Sequence, residues 1–280
     1  MPRVALLVEY SGTRYCGWQR QKHCQSVQEW VEKALSRVAN EPVVVQCAGR
    51  TDSGVHASGQ VVHFDTDADR DARSWTLGAN SHLPSDISVR AATVPHPEFH
   101  ARFDAIERHY RYIIVNTPSR YALFADRAMT VHEPLDAGVM QQAANSLLGK
   151  HDFSAFRAAG CQAKHANRDV RSLRIQRHGQ WILVDIAANA FLHHMVRNIV
   201  GLLIAIGTGL RPVSFAAEIL AKRQRKLAPS MAAAEGLYLT RVLYPPISKL
   251  SWQNDASSNF KDFFSMIPAD PDVSGGDDQT

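Results

Sequence analysis

Cysteines are few in this sequence, and none lies in the CxxC spacing typical of metal sites and redox pairs. They are Cys16, Cys24, Cys47 and Cys161. The chain also opens at Met1 without the basic and apolar leader of a secreted protein. Its longest apolar run, Ile199 to Ile206, is interrupted by Gly201, whereas a membrane span needs about 20 apolar residues. We therefore expect a cytoplasmic protein with no membrane role.

Motifs for metals and nucleotide cofactors are missing as well. Gly49 and Gly54 do not have the spacing of a phosphate-binding loop, and HExxH does not occur. His193 and His194 are adjacent, so on a helix with about 3.6 residues per turn their side chains would diverge by roughly 100°. Such a divergent pair is a poor metal site. The sequence therefore predicts no metal and no cofactor.

Positive charge is present in excess, and it is concentrated in two segments. The net charge is only +4. Residues 157–177, however, carry six cationic side chains against Asp169 alone, and residues 222–226 carry four more. Such clusters suit a phosphate backbone better than a small acidic metabolite, although a solvated cationic face gives the same pattern.

The apolar periodicity of the first half predicts the order strand, helix, strand, strand, helix, strand. The predicted strands are Arg3–Tyr10, Pro42–Cys47, Gln60–Asp65 and Ile87–Val94, and the second helix is Ala72–Ser81. Ser26 is the predicted N-cap of the first helix, with Glu29 at the capping-box spacing.

The second half repeats this order. Its predicted strands are Arg108–Asn116, Arg171–Arg177, Trp181–Ile186 and Gly236–Tyr244, and its predicted helices are Leu135–Leu148, Phe191–Ile206 and Ser214–Lys222. We therefore predict an α+β fold of two ferredoxin-like halves, each βαββαβ with an antiparallel sheet, joined side by side. The halves are residues 1–105 and 106–246. A tail rich in Ser, Asn, Asp, Pro and Gly, residues 247–280, is expected to be flexible.

The segment Gly49 to Ala57 lies between two predicted strands and reads as a loop. It crowds Arg50, Asp52 and His56 into seven residues, next to two glycines. Loops held by a rigid sheet commonly carry binding and catalytic residues. Asp52 is therefore the first candidate for a functional carboxylate.

Arg197 is the single fully charged residue between Ala187 and Leu210. A guanidinium in a buried helix needs a carboxylate partner, or else must extend to solvent. An adjacent cation would keep a carboxylate ionised, and Asp52 is the partner that we predict.

Arginines alternate with aromatic residues in the predicted strand at 108–112. On a strand, Arg108, Tyr110 and Tyr112 would share one face. Such a face suits base stacking and phosphate contact. For Tyr112 we prefer the simpler interpretation, a residue at the edge of the core.

These segments together closely resemble the TruA family of tRNA pseudouridine synthases, from about Val4 to Tyr244. The matching motifs are GWQ at 17–19, GRTDSGVHA at 49–57, RHYRY at 108–112, FLHHMVRN at 191–198 and EGLYL at 235–239. The resemblance implies isomerisation of uridine to pseudouridine at positions 38, 39 and 40 in the anticodon stem-loop of tRNA. It also implies a homodimer, no cofactor, and an active cleft between two ferredoxin-like halves.

The resemblance also assigns roles to five residues. Asp52 matches the catalytic aspartate, Arg50 an arginine that displaces the target base, Tyr110 the tyrosine that stacks on uracil, Arg197 the partner of the aspartate, and Leu237 an apolar residue lining the pocket. Ser53 stands where alanine is commoner in the family.

Two other functions fit parts of the sequence. In a non-catalytic RNA-binding or RNA-chaperone module, the basic clusters would bind RNA and Asp52 would be structural. A glycoside hydrolase would need a second carboxylate opposite Asp52, and the motifs supply no obvious candidate.

Overall fold

The computed structural model describes residues 2–254, in which ten strands form one sheet accompanied by five α-helices. The strands are β1 Arg3–Tyr10, β2 Gln46–Cys47, β3 His56–Asp65, β4 Ile87–Thr93, β5 Glu107–Asn116, β6 Met129–Val131, β7 Gly149–Asp152, β8 Asn167–His178, β9 Trp181–Ala188 and β10 Leu237–Leu243. The helices are α1 Val27–Ala39, α2 Ala72–Asn80, α3 Ala137–Asn145, α4 Met195–Gly207 and α5 Phe215–Lys222. The expectation of a mixed fold containing both helices and sheet is confirmed.

The sheet runs in the order β4-β1-β3-β10-β5-β9-β8-β7, with β2 paired to β3 and β6 paired to β5. Most neighbours are antiparallel, but β10 runs parallel to β3, with Tyr238 opposite His56. On its other side β10 is antiparallel to β5, with Leu237 opposite Tyr112. The last strand of the chain therefore joins the strands of the first half to those of the second.

Helix α1 forms as the sequence predicts. Ser26 adopts an extended backbone conformation, and its hydroxyl accepts a hydrogen bond from the Glu29 N–H at 3.3 Å. Val27, Val31 and Leu35 are fully buried on the inner face of the helix. One amphipathic face and a satisfied first turn therefore account for this helix.

The strand prediction is wrong at both ends of the Asp52 loop. Of the predicted strand Pro42–Cys47, only Gln46–Cys47 pairs, with β3. Val43 and Val45 instead donate their N–H groups to side chains of α1, the Ser36 hydroxyl and the Glu32 carboxylate. Strand β3 starts at His56, earlier than predicted, because His56 and Ala57 pair with β10. That pairing is between segments distant in the sequence, which local patterns do not reveal.

Several boundaries of the second half also differ from the prediction, including those of α3 and α4. Helix α3 ends at Asn145 rather than Leu148, and β7, which was not predicted, begins at Gly149 with a φ of +91°. Helix α4 begins at Met195 rather than Phe191, because His194 has a left-handed φ of +65°. A backbone in that region cannot continue a right-handed helix.

The chain after β10 continues into short 3-10 turns at Pro246–Ser248 and Ser251–Asn254. The remainder of the predicted tail, residues 255–280, lies outside the described residues. Across residues 2–254, none of the helices has the length and apolarity needed to cross a membrane.

Candidate active site

The segment that follows β1 packs against the Asp52 loop, residues 48–55, and holds it in position. The Trp18 N–H donates to the Thr51 carbonyl at 3.0 Å, and the Thr51 hydroxyl lies 2.8 Å from the buried Tyr10 hydroxyl. Gly17 has a φ of +90°, and a Cβ there would lie 2.5 Å from the Thr51 oxygen. Only glycine therefore allows the two backbone segments to approach this closely.

Further contacts fix the far end of the loop. The Ser53 hydroxyl donates to the Tyr15 carbonyl at 3.2 Å rather than to Asp52. His56 Nδ1 accepts the Gly12 N–H at 3.1 Å, and His56 Nε2 lies 3.1 Å from the Glu235 carbonyl. Burial lowers the pKa of His56 to about 4. A neutral imidazole with its proton on Nε2 therefore connects the loop to the segment before β10.

Arg197, in the first turn of α4, contacts Asp52 in a cavity that both residues line. Arg197 Nη1 lies 3.5 Å from Asp52 Oδ2, and its Nε donates to the Ala232 carbonyl at 2.9 Å. The two charged side chains are only 12% and 19% exposed. The contact expected from the sequence is therefore present, and Ala232 fixes the orientation of the guanidinium.

The two adjacent histidines also converge on Asp52, contrary to the prediction that their side chains diverge. His193 Nε2 lies 3.2 Å from Asp52 Oδ1, and His194 Nε2 lies 3.5 Å from Oδ2. Both residues precede α4, so the helical angle of 100° does not apply, and their ring centroids are only 3.9 Å apart. Neither histidine was predicted as a site residue, although both lie within the FLHHMVRN motif.

Tyr110 and Leu237 lie on the apolar side of the cavity that Asp52 and Arg197 line. Tyr110 is 9% exposed on β5 and packs edge-to-face against Phe191. Burial and the nearby charge of Asp52 raise the pKa of its hydroxyl, so it stays protonated. Tyr112, two residues further along β5, is fully buried, and its hydroxyl donates to the Ala233 carbonyl. Its prediction as a core residue is therefore confirmed.

Arg50 lies at the exposed rim of the cavity. Its Nη1 is 3.3 Å from Gln162 Oε1, in the loop between β7 and β8. In that loop, Arg157 donates to the carbonyls of Cys161 and Ala163. The loop of the second half therefore meets the Asp52 loop of the first half at the mouth of the cavity.

The cavity has a volume of about 750 Å³ and is strongly cationic. Five arginines line it, together with a single carboxylate, Asp52, among the residues that the structure describes there. The arginines are Arg50, Arg102, Arg108, Arg168 and Arg197. All five site residues predicted from the sequence line this cavity. Such a lining favours a polyanionic ligand and leaves one carboxylate to perform chemistry.

The basic clusters of the sequence do not form one uniform face. Arg168 is 9% exposed and lines the cavity, whereas Arg171 pairs with Glu107 at 2.7 Å. In the second cluster, Lys222 pairs with Glu218 and Arg223 lies 3.5 Å from Asp152. Several of these charges are therefore used in local contacts.

Cys16 and Cys24 form a disulfide in the segment between β1 and α1, a pairing that the sequence does not reveal. Cys16 also lines the cavity. Cys161, at the rim, accepts a hydrogen bond from the His193 N–H at 3.5 Å. Neither Cys16 nor Cys161 was predicted as part of the site.

A partly buried carboxylate beside a fixed guanidinium can act as a nucleophile or as a general base. The Arg197 guanidinium lies 3.5 Å from Asp52 Oδ2 and so helps to fix the direction of the carboxylate. The cavity is large enough for one nucleotide, because ligand pockets of this kind are commonly about 300–1,000 Å³. The geometry therefore fits covalent or acid-base chemistry on a bound anionic substrate.

Comparisons with known proteins agree with this geometry. The sequence profile of a family described as tRNA pseudouridine synthase matches residues 6–104 and 143–245. A protein named tRNA pseudouridine synthase A from Aeromonas hydrophila is 57% identical over 87% of this chain and 90% of its own. Proteins of the same name from Hydrogenovibrio crunogenus and Klebsiella pneumoniae are 51% and 54% identical over 90% and 87% of this chain, covering 100% and 90% of theirs.

The matched residues include the Asp52 loop, α4 and β10, which together surround the cavity. The resemblance found in the sequence motifs is thereby confirmed. The chain belongs to the tRNA pseudouridine synthase family.

Proposed function

We propose that this protein isomerises uridine to pseudouridine in the anticodon stem-loop of tRNA, at positions 38, 39 and 40, with Asp52 as the catalytic residue. The observation that carries the proposal is the contact between Asp52 and Arg197 in a cavity whose described lining holds no other carboxylate. The names of the relatives support tRNA as the substrate and pseudouridine as the product.

The proposed reaction needs only the groups that line the cavity. The C1′–N1 bond breaks, the uracil turns, a C1′–C5 bond forms, and the proton lost from C5 is balanced by one gained at N1. No net oxidation occurs, so the reaction requires no redox cofactor. The Asp52 carboxylate serves as nucleophile, or as the base that leads to a glycal-type intermediate.

The other site residues prepare the base for this step. The target uridine must leave its stack, which costs a few kcal/mol. We assign base displacement to the exposed Arg50, and stacking on the uracil to Tyr110, with Leu237 on the apolar wall. Arg197 pairs with Asp52 and holds its carboxylate in position. A glycoside hydrolase is disfavoured because it would need a second carboxylate.

We propose the same division for the architecture: two ferredoxin-like halves, residues 1–105 and 106–246. The strand order supports it, since β4-β1-β3 with β2, and β10-β5-β9-β8, each match the arrangement of a βαββαβ unit. We further propose a cytoplasmic homodimer, as the resemblance implies. Sedimentation equilibrium tests the dimer.

The proposal is tested with the Asp52→Asn variant. This change keeps the shape of the side chain and removes its charge, so release of tritium from tRNA carrying C5-tritiated uridine should be abolished while tRNA binding is retained. Asp69→Asn is the matched control, because Asp69 is exposed in the segment between β3 and α2. Full tritium release by Asp52→Asn would refute the catalytic assignment, whereas tRNA binding without tritium release by the unsubstituted protein would favour the RNA-binding alternative.

The substrate position is tested separately. Nucleoside analysis of tRNA from cells lacking the protein should show pseudouridine lost from the anticodon arm. Loss from another arm alone would contradict the proposed position while leaving the reaction intact.

A further inference from the structure

Two imidazoles and one carboxylate meet at one end of the cavity, where the sequence alone predicts no metal site. One donor atom each from Asp52, His193 and His194 lies within 4.8 Å of the other two. The closest approaches are 3.2 Å from His193 Nε2 to Asp52 Oδ1 and 3.5 Å from His194 Nε2 to Oδ2. Two nitrogens and one oxygen are a common donor set for divalent transition metals.

We propose that these three side chains bind one divalent transition-metal ion of the Zn²⁺ type, and that the ion competes with the target uridine for Asp52. The binding stands on the geometry alone, whereas the competition rests on the proposed function. The ion is an inhibitor in this proposal and takes no part in the reaction.

The donor separations are close to those of a tetrahedral zinc site. Zinc–nitrogen and zinc–oxygen distances of about 2.0–2.1 Å place neighbouring ligands about 3.3 Å apart. Each imidazole already lies at about this separation from one Asp52 oxygen, His193 Nε2 at 3.2 Å from Oδ1 and His194 Nε2 at 3.5 Å from Oδ2. With one oxygen of Asp52 as the ligand, the three donor atoms all lie within 4.8 Å of one another, so a bound ion must draw them closer together.

The backbone holds the two histidines in this arrangement. His194 has a φ of +65°, which turns the chain so that adjacent imidazoles face the same carboxylate. The His193 N–H donates to Cys161 Sγ at 3.5 Å, and its carbonyl accepts the Ala158 N–H at 3.1 Å. The turn is therefore fixed to the rim of the cavity before any ion arrives.

The donor set and the local charge predict which ions bind. Imidazole nitrogens suit Zn²⁺, Co²⁺ and Ni²⁺, whereas Mg²⁺ prefers oxygen ligands, so the Mg²⁺ used to fold tRNA should not occupy the site. The positive guanidinium of Arg197 lies 3.5 Å from Asp52 Oδ2 and therefore repels a metal ion bound to the same carboxylate. We therefore expect reversible binding that is weaker than in a structural zinc site.

The test is calorimetric titration of the full-length, chelator-treated protein with Zn²⁺ in the absence of tRNA. One equivalent of Zn²⁺ should bind, and Mg²⁺ at about 5 mM should not displace it. His193→Ala and His194→Ala should each weaken binding at least about tenfold, because losing even an outer-sphere partner commonly costs about 10–100-fold. His178→Ala, at an exposed position at the end of β8, is the matched control and should bind normally.

Tritium release measured in parallel should fall as Zn²⁺ rises, recover with EDTA, and resist Zn²⁺ in the histidine variants that retain activity. Absence of zinc binding, or binding unchanged in both His193→Ala and His194→Ala, would overturn the site. Stoichiometric binding without inhibition would overturn the competition. Because the titration needs no activity, a failure of the proposed function would show separately, as absent tritium release without metal.

Discussion

Replacing Gly17 by alanine tests how closely the reaction depends on the position of the Asp52 loop. Gly17 is not proposed to contact the substrate; its backbone packs beneath the loop. Its φ of +90° disfavours any side chain, and an added Cβ would lie 2.5 Å from the Thr51 oxygen and 2.9 Å from the Asp52 carbonyl carbon. Both neighbours are backbone atoms, so the clash cannot be relieved by rotating a side chain.

The size of the effect follows from these distances. Contacts under 3.0 Å are essentially never seen for a real Cβ, so the loop must retreat by at least about 0.5 Å. Because a misplacement of 1 Å can cost about 100-fold in rate, we expect kcat to fall roughly 10-fold to 100-fold. The strained backbone should also lower the free energy of unfolding by about 1–3 kcal/mol.

The assay is tritium release under saturating tRNA, combined with thermal unfolding to establish that the variant is folded. Gly160→Ala is the matched control, because Gly160 also lines the cavity but an added Cβ would meet nothing within 4 Å. A folded Gly17→Ala protein with wild-type kcat would refute the inference that the Gly17 backbone positions Asp52.

Two further predictions concern charge and pH. Arg197→Ala should nearly abolish tritium release and lower the free energy of unfolding by roughly 1–3 kcal/mol, because Asp52 loses a fixed partner; normal activity would argue against the pairing. Burial lowers the pKa of His56 and His63 from 6.5 to about 4, so the unfolded chain binds more protons between these values. Urea unfolding should therefore show stability lost as pH falls from about 6.5 to 4, by up to about 3 kcal/mol per histidine. His56→Asn, which keeps an acceptor for the Gly12 N–H, should show a shallower loss; unchanged pH dependence would contradict this.

Local sequence patterns predict the elements of this fold where the stabilising contacts are also local. The limits of β1 match the prediction at both ends, and the Ser26 cap of α1 is present as expected. The prediction fails where a distant partner decides the outcome. Strand β3 is extended by β10, which lies about 180 residues later. Residues 43–45 have the composition of a strand, but side chains of α1 accept the N–H groups of Val43 and Val45.

The candidate site shows the same division. The cost of burying a guanidinium predicts that Arg197 needs a carboxylate, and Asp52 lies 3.5 Å away. The convergence of His193 and His194 depends on one left-handed φ, and a histidine in a run of apolar residues gives no sign of it. A helical pattern extended through these residues therefore gives the wrong directions for both side chains.

The central position of β10 has a consequence for how the protein is made. Strand β3 ends at Asp65, but the strand that pairs with its start is complete only at Leu243. At about 5–20 residues per second, that part of the edge of β3 waits roughly 10–35 s for its partner during synthesis. Leu237, which lines the cavity, arrives with the same strand. A chain whose synthesis stops before residue 237 therefore has an open sheet edge and an incomplete cavity. Such a chain is a target for chaperones and proteases rather than a partly active enzyme.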